Sequence, residues 1–130
     1  MKLNEGRAAG LNLISGYDPE GILVGTAVGS TVGTDRHTLP VLVGRDFVDT
    51  AIEAKARAEL TPADIQRIVA RRPAIVLAGS AAGPWHAPAQ LRRAFEDERI
   101  AFETMDLGAA CRTFNVLVQE DREVVALLLP

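Results

Sequence analysis

Cysteine, histidine and aromatic residues are scarce in this 130-residue chain, which holds one Cys, two His, one Trp, one Tyr and four Phe. The lone cysteine, Cys111, excludes an internal disulfide and fits a reducing compartment. No two histidines or cysteines stand at metal-ligand spacing, so neither a metal nor another cofactor is expected. There is no G-x-S-x-G elbow to carry a serine nucleophile. Long apolar runs are missing too. The uncharged stretch 21–34, "GILVGTAVGSTVGT", is short for a membrane span and interrupted by glycines. The opening "MKLNEGRAAG" places a glutamate among its basic residues and leads into no signal-like apolar segment. A cytoplasmic protein without a membrane span is the expectation. Lysine is nearly absent: twelve arginines stand against Lys2 and Lys55. The net charge of −3 disfavours a nucleic-acid surface as the main function.

What is present is a soluble globular composition, 48% apolar and 24% charged. Residues 1–130 are long enough for one domain with its own core, and no linker divides them. The first third is strand-like. Residues 11–15, 21–28 and 37–43 are rich in Val, Ile, Leu and Thr, separated by the turn compositions "GYDPEG" and "GSTVGTDR". Gly25 and Gly29 suggest a bulge or a close backbone approach. Residues 46–60 fit either a short helix or an irregular crossing.

The second half is better punctuated. Thr61 as cap, Pro62 in the first turn and Asp64 three residues after the cap open a helix that Pro73 ends. Its inward stripe is Ile65, Ile68 and Val69. Residues 74–79, "AIVLAG", form a continuous apolar run, as a strand covered on both faces requires. A helix over 88–99 and a strand over 100–105 follow. Asp106 then caps a helix whose buried face is Leu107, Ala110, Cys111, Phe114, Leu117 and Val118. "VVALLL" is a last buried strand. Helices alternating with apolar strands indicate an α/β sheet.

Ligands of open α/β sheets sit beyond the carboxyl ends of parallel strands. Two loops occupy such positions, 79–88 and 105–115, and they share an edge if their strands are neighbours. Their candidate groups are Ser80, Trp85, His86, Asp106, Arg112 and Asn115, with Cys111 behind them. Cys111 reads either as a thiolate favoured by the helix start and Arg112, or as a small apolar residue facing the sheet. Its place on the inward stripe favours packing. His86 reads as a general base or as a solvated loop residue, and no carboxylate lies near it in sequence. Asp106 reads as a cap before it reads as a catalytic acid. Trp85, in a proline-flanked loop, either anchors a partner or covers the end of the core. "GSAAG", 79–83, lacks the Lys-Ser/Thr of a phosphate loop. The arginine pairs at 71–72 and 92–93 fit solvated helix faces or an acidic partner.

The stretch 103–130, "ETMDLGAACRTFNVLVQEDREVVALLLP", resembles the signature of the Mth938-like (DUF498) family, which has a mitochondrial branch of complex I assembly factors. Met105, Asp106, Ala109, Ala110, Cys111, Arg112, Thr113, Phe114, Asn115, Leu117, Glu120 and Arg122 stand at the matching places. The likeness is specific over 60–130 and looser over 11–45. Two positions depart from the pattern. Gly79-Ser80-Ala81 stands where the family usually has Gly-Thr-Gly, and Leu107 where it has Thr. Both changes remove polar or flexible groups from the crevice.

The resemblance implies a single α/β domain, a mixed central sheet flanked by helices with an N-terminal β-rich hairpin region. It also implies action by protein contact. A non-enzymatic protein-binding module or assembly factor, with an unidentified protein partner, is the leading expectation. A small-molecule or anion-binding protein, or an enzyme, using the crevice between the two loops is the rival.

Overall fold

The structure, a computed structural model, describes residues 10–28, 31–57 and 59–130. The bulge or close approach expected at Gly29 and the N-terminal residues 1–9 fall outside them.

The N-terminal region forms a three-stranded antiparallel sheet in the order β1-β2-β3: β1 (Asn12–Asp18), β2 (Gly21–Val28) and β3 (Thr31–Thr38). "GSTVGTDR" reads as a turn, yet residues 31–36 belong to β3, where Leu23 pairs with Arg36 and Val24 with Asp35. Pairing with β2 overrides the turn composition. The bulge or close approach expected at Gly25 is not found, since an added Cβ there would meet only ordinary contacts; the register shift lies in β1, between Ile14 and Gly16.

The expected strand 37–43 is two strands. The cis Leu39–Pro40 bond separates the end of β3 from β4 (Val41–Gly44), which belongs to the second sheet. The described residues of 46–60 are the irregular crossing and not a helix, apart from the two-residue β5 (Val48–Asp49). The other elements follow the sequence pattern: α1 (Pro62–Ala70), β6 (Ile75–Ser80), α2 (Ala89–Glu96), β7 (Ala101–Asp106), α3 (Leu107–Gln119) and β8 (Val124–Leu129). Thr61 and Asp64 close the anticipated reciprocal cap on α1.

The second sheet is mixed, in the order β5-β4-β8-β6-β7. β8 runs parallel to β6 and antiparallel to β4, and β7 runs parallel to β6. The path from β6 through α2 moves one strand outward to β7, while the path through α3 returns across β6 to β8. Right-handed crossovers in opposite directions place their helices on opposite faces.

The burial pattern has the same consequence. Val124, Ala126 and Leu128 join the cluster containing α3 residues Ala110, Cys111 and Phe114. Their neighbours Val125, Leu127 and Leu129 join the cluster containing Ile68 of α1 and Phe95 of α2. The period-2 alternation of a strand thus feeds two cores from one apolar run. The hairpin sheet lies over the α3 face, where Ile14, Ile22 and Val24 share that core.

Helices α2 and α3 end in the paired backbone bonds of Schellman motifs. Ile100 N–H reaches Phe95 C=O and Arg99 N–H reaches Glu96 C=O; Arg122 and Asp121 do the same to Leu117 and Val118. The residues in the left-handed conformation there are Arg99 (φ 61°) and Asp121 (φ 64°), where glycine is usual. This stop ends α2 at Glu96, before the expected Arg99.

Candidate functional site

β6 and β7 are adjacent and parallel, with Ser80 opposite Asp106, and the helices that follow them leave on opposite faces. Such a switch point opens a crevice at the carboxyl ends of the strands. A cleft of about 420 Å³ lies there, lined by Tyr17, Asp18, Pro19, Ser80, Ala81, Gly83, Asp106, Leu107 and Gly108.

Of the sequence-derived candidates, Ser80 and Asp106 line this cleft. Ser80 is fully buried, and its hydroxyl donates to Pro130 O (3.1 Å) while accepting from Ala82 N–H (3.0 Å). It closes the loop rather than facing a base. Asp106 is half-buried, and one of its carboxylate oxygens accepts from Ala109 N–H at 2.8 Å, the expected cap of α3.

The other candidates lie elsewhere. Trp85 is buried, its indole N–H donating to Ala78 O at 3.0 Å, so it covers the end of the α1/α2 core. Its own carbonyl accepts from Thr104 Oγ1 at 2.6 Å, and Arg57 donates to the carbonyls of Gly83 and Pro84. The 80–88 loop is therefore tied down at several points. His86 is exposed and does not line the cleft. Asn115 is half-buried and acts as a backbone surrogate: its Oδ1 accepts from Ile14 N–H and its Nδ2 donates to Ile14 O, both at 2.8 Å. This covers the edge of β1 beside the bulge, where a strand would otherwise have open polar groups. Arg112 is exposed, its guanidinium 3.4 Å from the Tyr17 hydroxyl.

Cys111 is 2% exposed in the α3 core. Burial pushes its thiol up to about 12, against a smaller opposing pull from Arg112. A thiolate nucleophile needs the opposite shift. Among the described residues no group of three His, Cys, Asp or Glu is arranged to hold a metal ion.

Sequence reasoning missed Tyr17, Asp18 and Pro19. Their segment carries turn composition, but nothing local shows that the β1–β2 turn folds onto the end of β6 and β7. Gly108 is the signal that was available. A Cβ there would push the Tyr17 hydroxyl aside, so glycine lets the ring lie across the first turn of α3. Asp18 is fixed by a bidentate contact from Arg36 and by the N–H groups of Glu20 and Gly21. The Arg36 hydrogen bond above all, then the Glu20 N–H, lowers its carboxyl to about 2.

The family model of a protein of unknown function (DUF498/DUF598) matches residues 14–129. The chain belongs to that family. A Bartonella henselae crystal structure, described as an outer membrane protein, is 29% identical over 92% of this chain and 95% of its own, with a TM-score of 0.73. A Bordetella parapertussis protein is 25% identical over 95% and 98% of the two chains, with a TM-score of 0.77. The fold is shared with a Mth938-like domain from Bordetella pertussis, 22% identical over 95% and 88%, with a TM-score of 0.74. No curated protein matches. Among the described residues no helix of this DUF498/DUF598 chain is long and apolar enough to cross a membrane.

Proposed function

We propose that this DUF498/DUF598 protein is a non-enzymatic protein-binding module of the cytoplasm, an accessory or assembly factor for a larger complex. The observation that carries the reading is a contrast on one helix. The inward groups of α3 that resemble chemistry are committed to structure: Cys111 to the core, Asn115 to the backbone of Ile14. Its outward face instead exposes a large apolar side chain, Val116 at 52%, on the same stripe as the Gly108 turn that supports the half-exposed Tyr17. Contiguous exposed apolar surface marks interaction sites, and Tyr17 and Val116 are two of the three exposed large apolar side chains among the described residues. Kinship with the assembly-factor branch points the same way.

Affinity capture from the native cell tests this. The wild type is expected to co-purify a protein in fixed stoichiometry, and Val116→Asp to lose it while melting at the same temperature. Capture that is empty, or identical for the two proteins, contradicts the reading.

The switch-point cleft favours a second reading, a small-molecule or anion site. It predicts a raised Tm with a ligand from an anion and metabolite panel, since binding to the native state alone stabilises it.

A further inference from the structure

We infer that the surface running from the cleft over Tyr17 to Val116 docks a positively charged, apolar segment of a partner protein. The inference rests on the protein-binding reading and specifies its partner.

Along α3 two exposed apolar side chains, Tyr17 and Val116, stand on either side of Arg112. Gly108, Arg112 and Val116 recur every four residues and so share one stripe. Tyr17 lies across Gly108 and brings its hydroxyl to Arg112. Tyr17 and Val116 are 48% and 52% exposed. From Gly108 to Val116 the helix rises roughly 12 Å, about two turns. Leu23, the remaining exposed large apolar residue among those described, belongs to a different face of the hairpin, in the row with Gly16 and Arg36.

Charge then selects the partner. The hairpin and α3 segments, residues 10–38 and 106–123, carry seven carboxylates against three arginines. Some of these are already bridged: Asp18 by Arg36, and Asp121 and Glu123 by Arg45. Glu20, Asp106 and Glu120 carry no ion pair among the described residues. Asp106 lines the cleft, and Glu120 stands one turn beyond Val116. Arg112 is the cation within the stripe, and its guanidinium is turned to Tyr17. The opposite face is close to neutral, with Asp49 bridging Arg67 of α1. Residues 50–73 and 86–99, which carry α1 and α2, hold eight basic side chains against six acidic ones. A segment with Lys or Arg directed at Asp106 and Glu120, and apolar residues against Tyr17 and Val116, complements the first face and finds no matching excess of carboxylates on the second.

The test uses fluorescence anisotropy with two labelled helix-forming peptides of one pattern, Leu/Lys and Leu/Glu, titrated with the full chain. The Leu/Lys peptide is expected to bind at least tenfold more tightly than the Leu/Glu peptide, and to weaken as salt rises. Val116→Lys is expected to weaken it a further tenfold, while Gln90→Lys, which adds the same charge on exposed α2, leaves it unchanged. Circular dichroism melts establish that both variants fold. Equal binding of the two peptides, no binding of Leu/Lys, or equal effects of Val116→Lys and Gln90→Lys would each overturn the inference. If capture from the cell still depends on Val116 in that case, the protein-binding reading stands and only the partner's chemistry is wrong.

Discussion

The two faces of the central sheet are held by contacts of different range. On the α1/α2 face the side-chain hydrogen bonds are shorter in range, up to the 27 residues between Arg57 and Pro84. Thr61 and Asp64 cap each other across three residues, and the buried Asp64 carboxylate also takes the N–H groups of Glu53 and Ala54. On the α3 face they are distant. Asn115 binds Ile14 at a separation of 101 residues, Gly108 admits Tyr17, and Gly79 admits Ala110. The difference explains why a segment that resembles a reaction centre is a packing element. α3 must face the sheet and the hairpin together, and its small or polar residues, Cys111, Ala110 and Asn115, serve those two contacts.

If α3 is wedged in this way, truncating its buried aromatic should have the largest effect. Phe114→Ala should cost about 3–5 kcal/mol in urea unfolding, whereas Val116→Ala, on the exposed side of the helix, should stay within about 0.5 kcal/mol. Similar costs for the two would mean that α3 does not separate core from surface.

The clamp between helix and hairpin comes next. Asn115→Ala leaves Ile14 N–H and C=O without their partner and should cost about 2–3 kcal/mol. Hydrogen exchange at the Ile14 amide should accelerate in step, and an unchanged exchange rate would remove the clamp from the account.

A smaller effect of opposite sign is expected at the helix stops. Arg99→Gly should stabilise by about 0.5–1 kcal/mol, because glycine adopts the left-handed conformation without a Cβ clash. A loss of stability would show that the Arg99 side chain contributes more than its backbone costs.

The last effect is absent at neutral pH and shows only as a difference in alkaline slope. The Cys111 thiol ionises near 9 when unfolded and near 12 when folded. Its contribution is full below the unfolded value, and stability falls as pH rises between the two. The fall for one proton is at most about 1.4 kcal/mol per pH unit. Cys111→Ala should flatten stability against pH above about 9 by up to that slope. Parallel curves would place the thiol in solvent.

Legibility in the sequence follows the same divide. The cap at Thr61 and Asp64, the inward stripe of α3 and the apolar run of β8 are written in short-range patterns, and the structure reproduces them. The position of the crevice was legible as well, because two strand-to-helix loops had to meet once β6 and β7 were neighbours. The third wall was not. Tyr17, Asp18 and Pro19 reach the cleft only through the stacking of one sheet on another helix, which no local pattern encodes. Trp85 shows the limit from the other side. Its proline-flanked loop is compatible with display or with burial, and the bond to Ala78 O, seven residues back, is what settles it. β3 escaped because "GSTVGTDR" has turn composition and takes its strand form from β2.

The central claim is that the cysteine segment is core and that surface work falls to the stripe beside it. Native-state labelling of Cys111 with a thiol reagent at pH 8 tests this most directly. The folded protein is expected to stay unlabelled during the time a denatured sample takes to react completely. One equivalent of label at a comparable rate in the folded protein would contradict it.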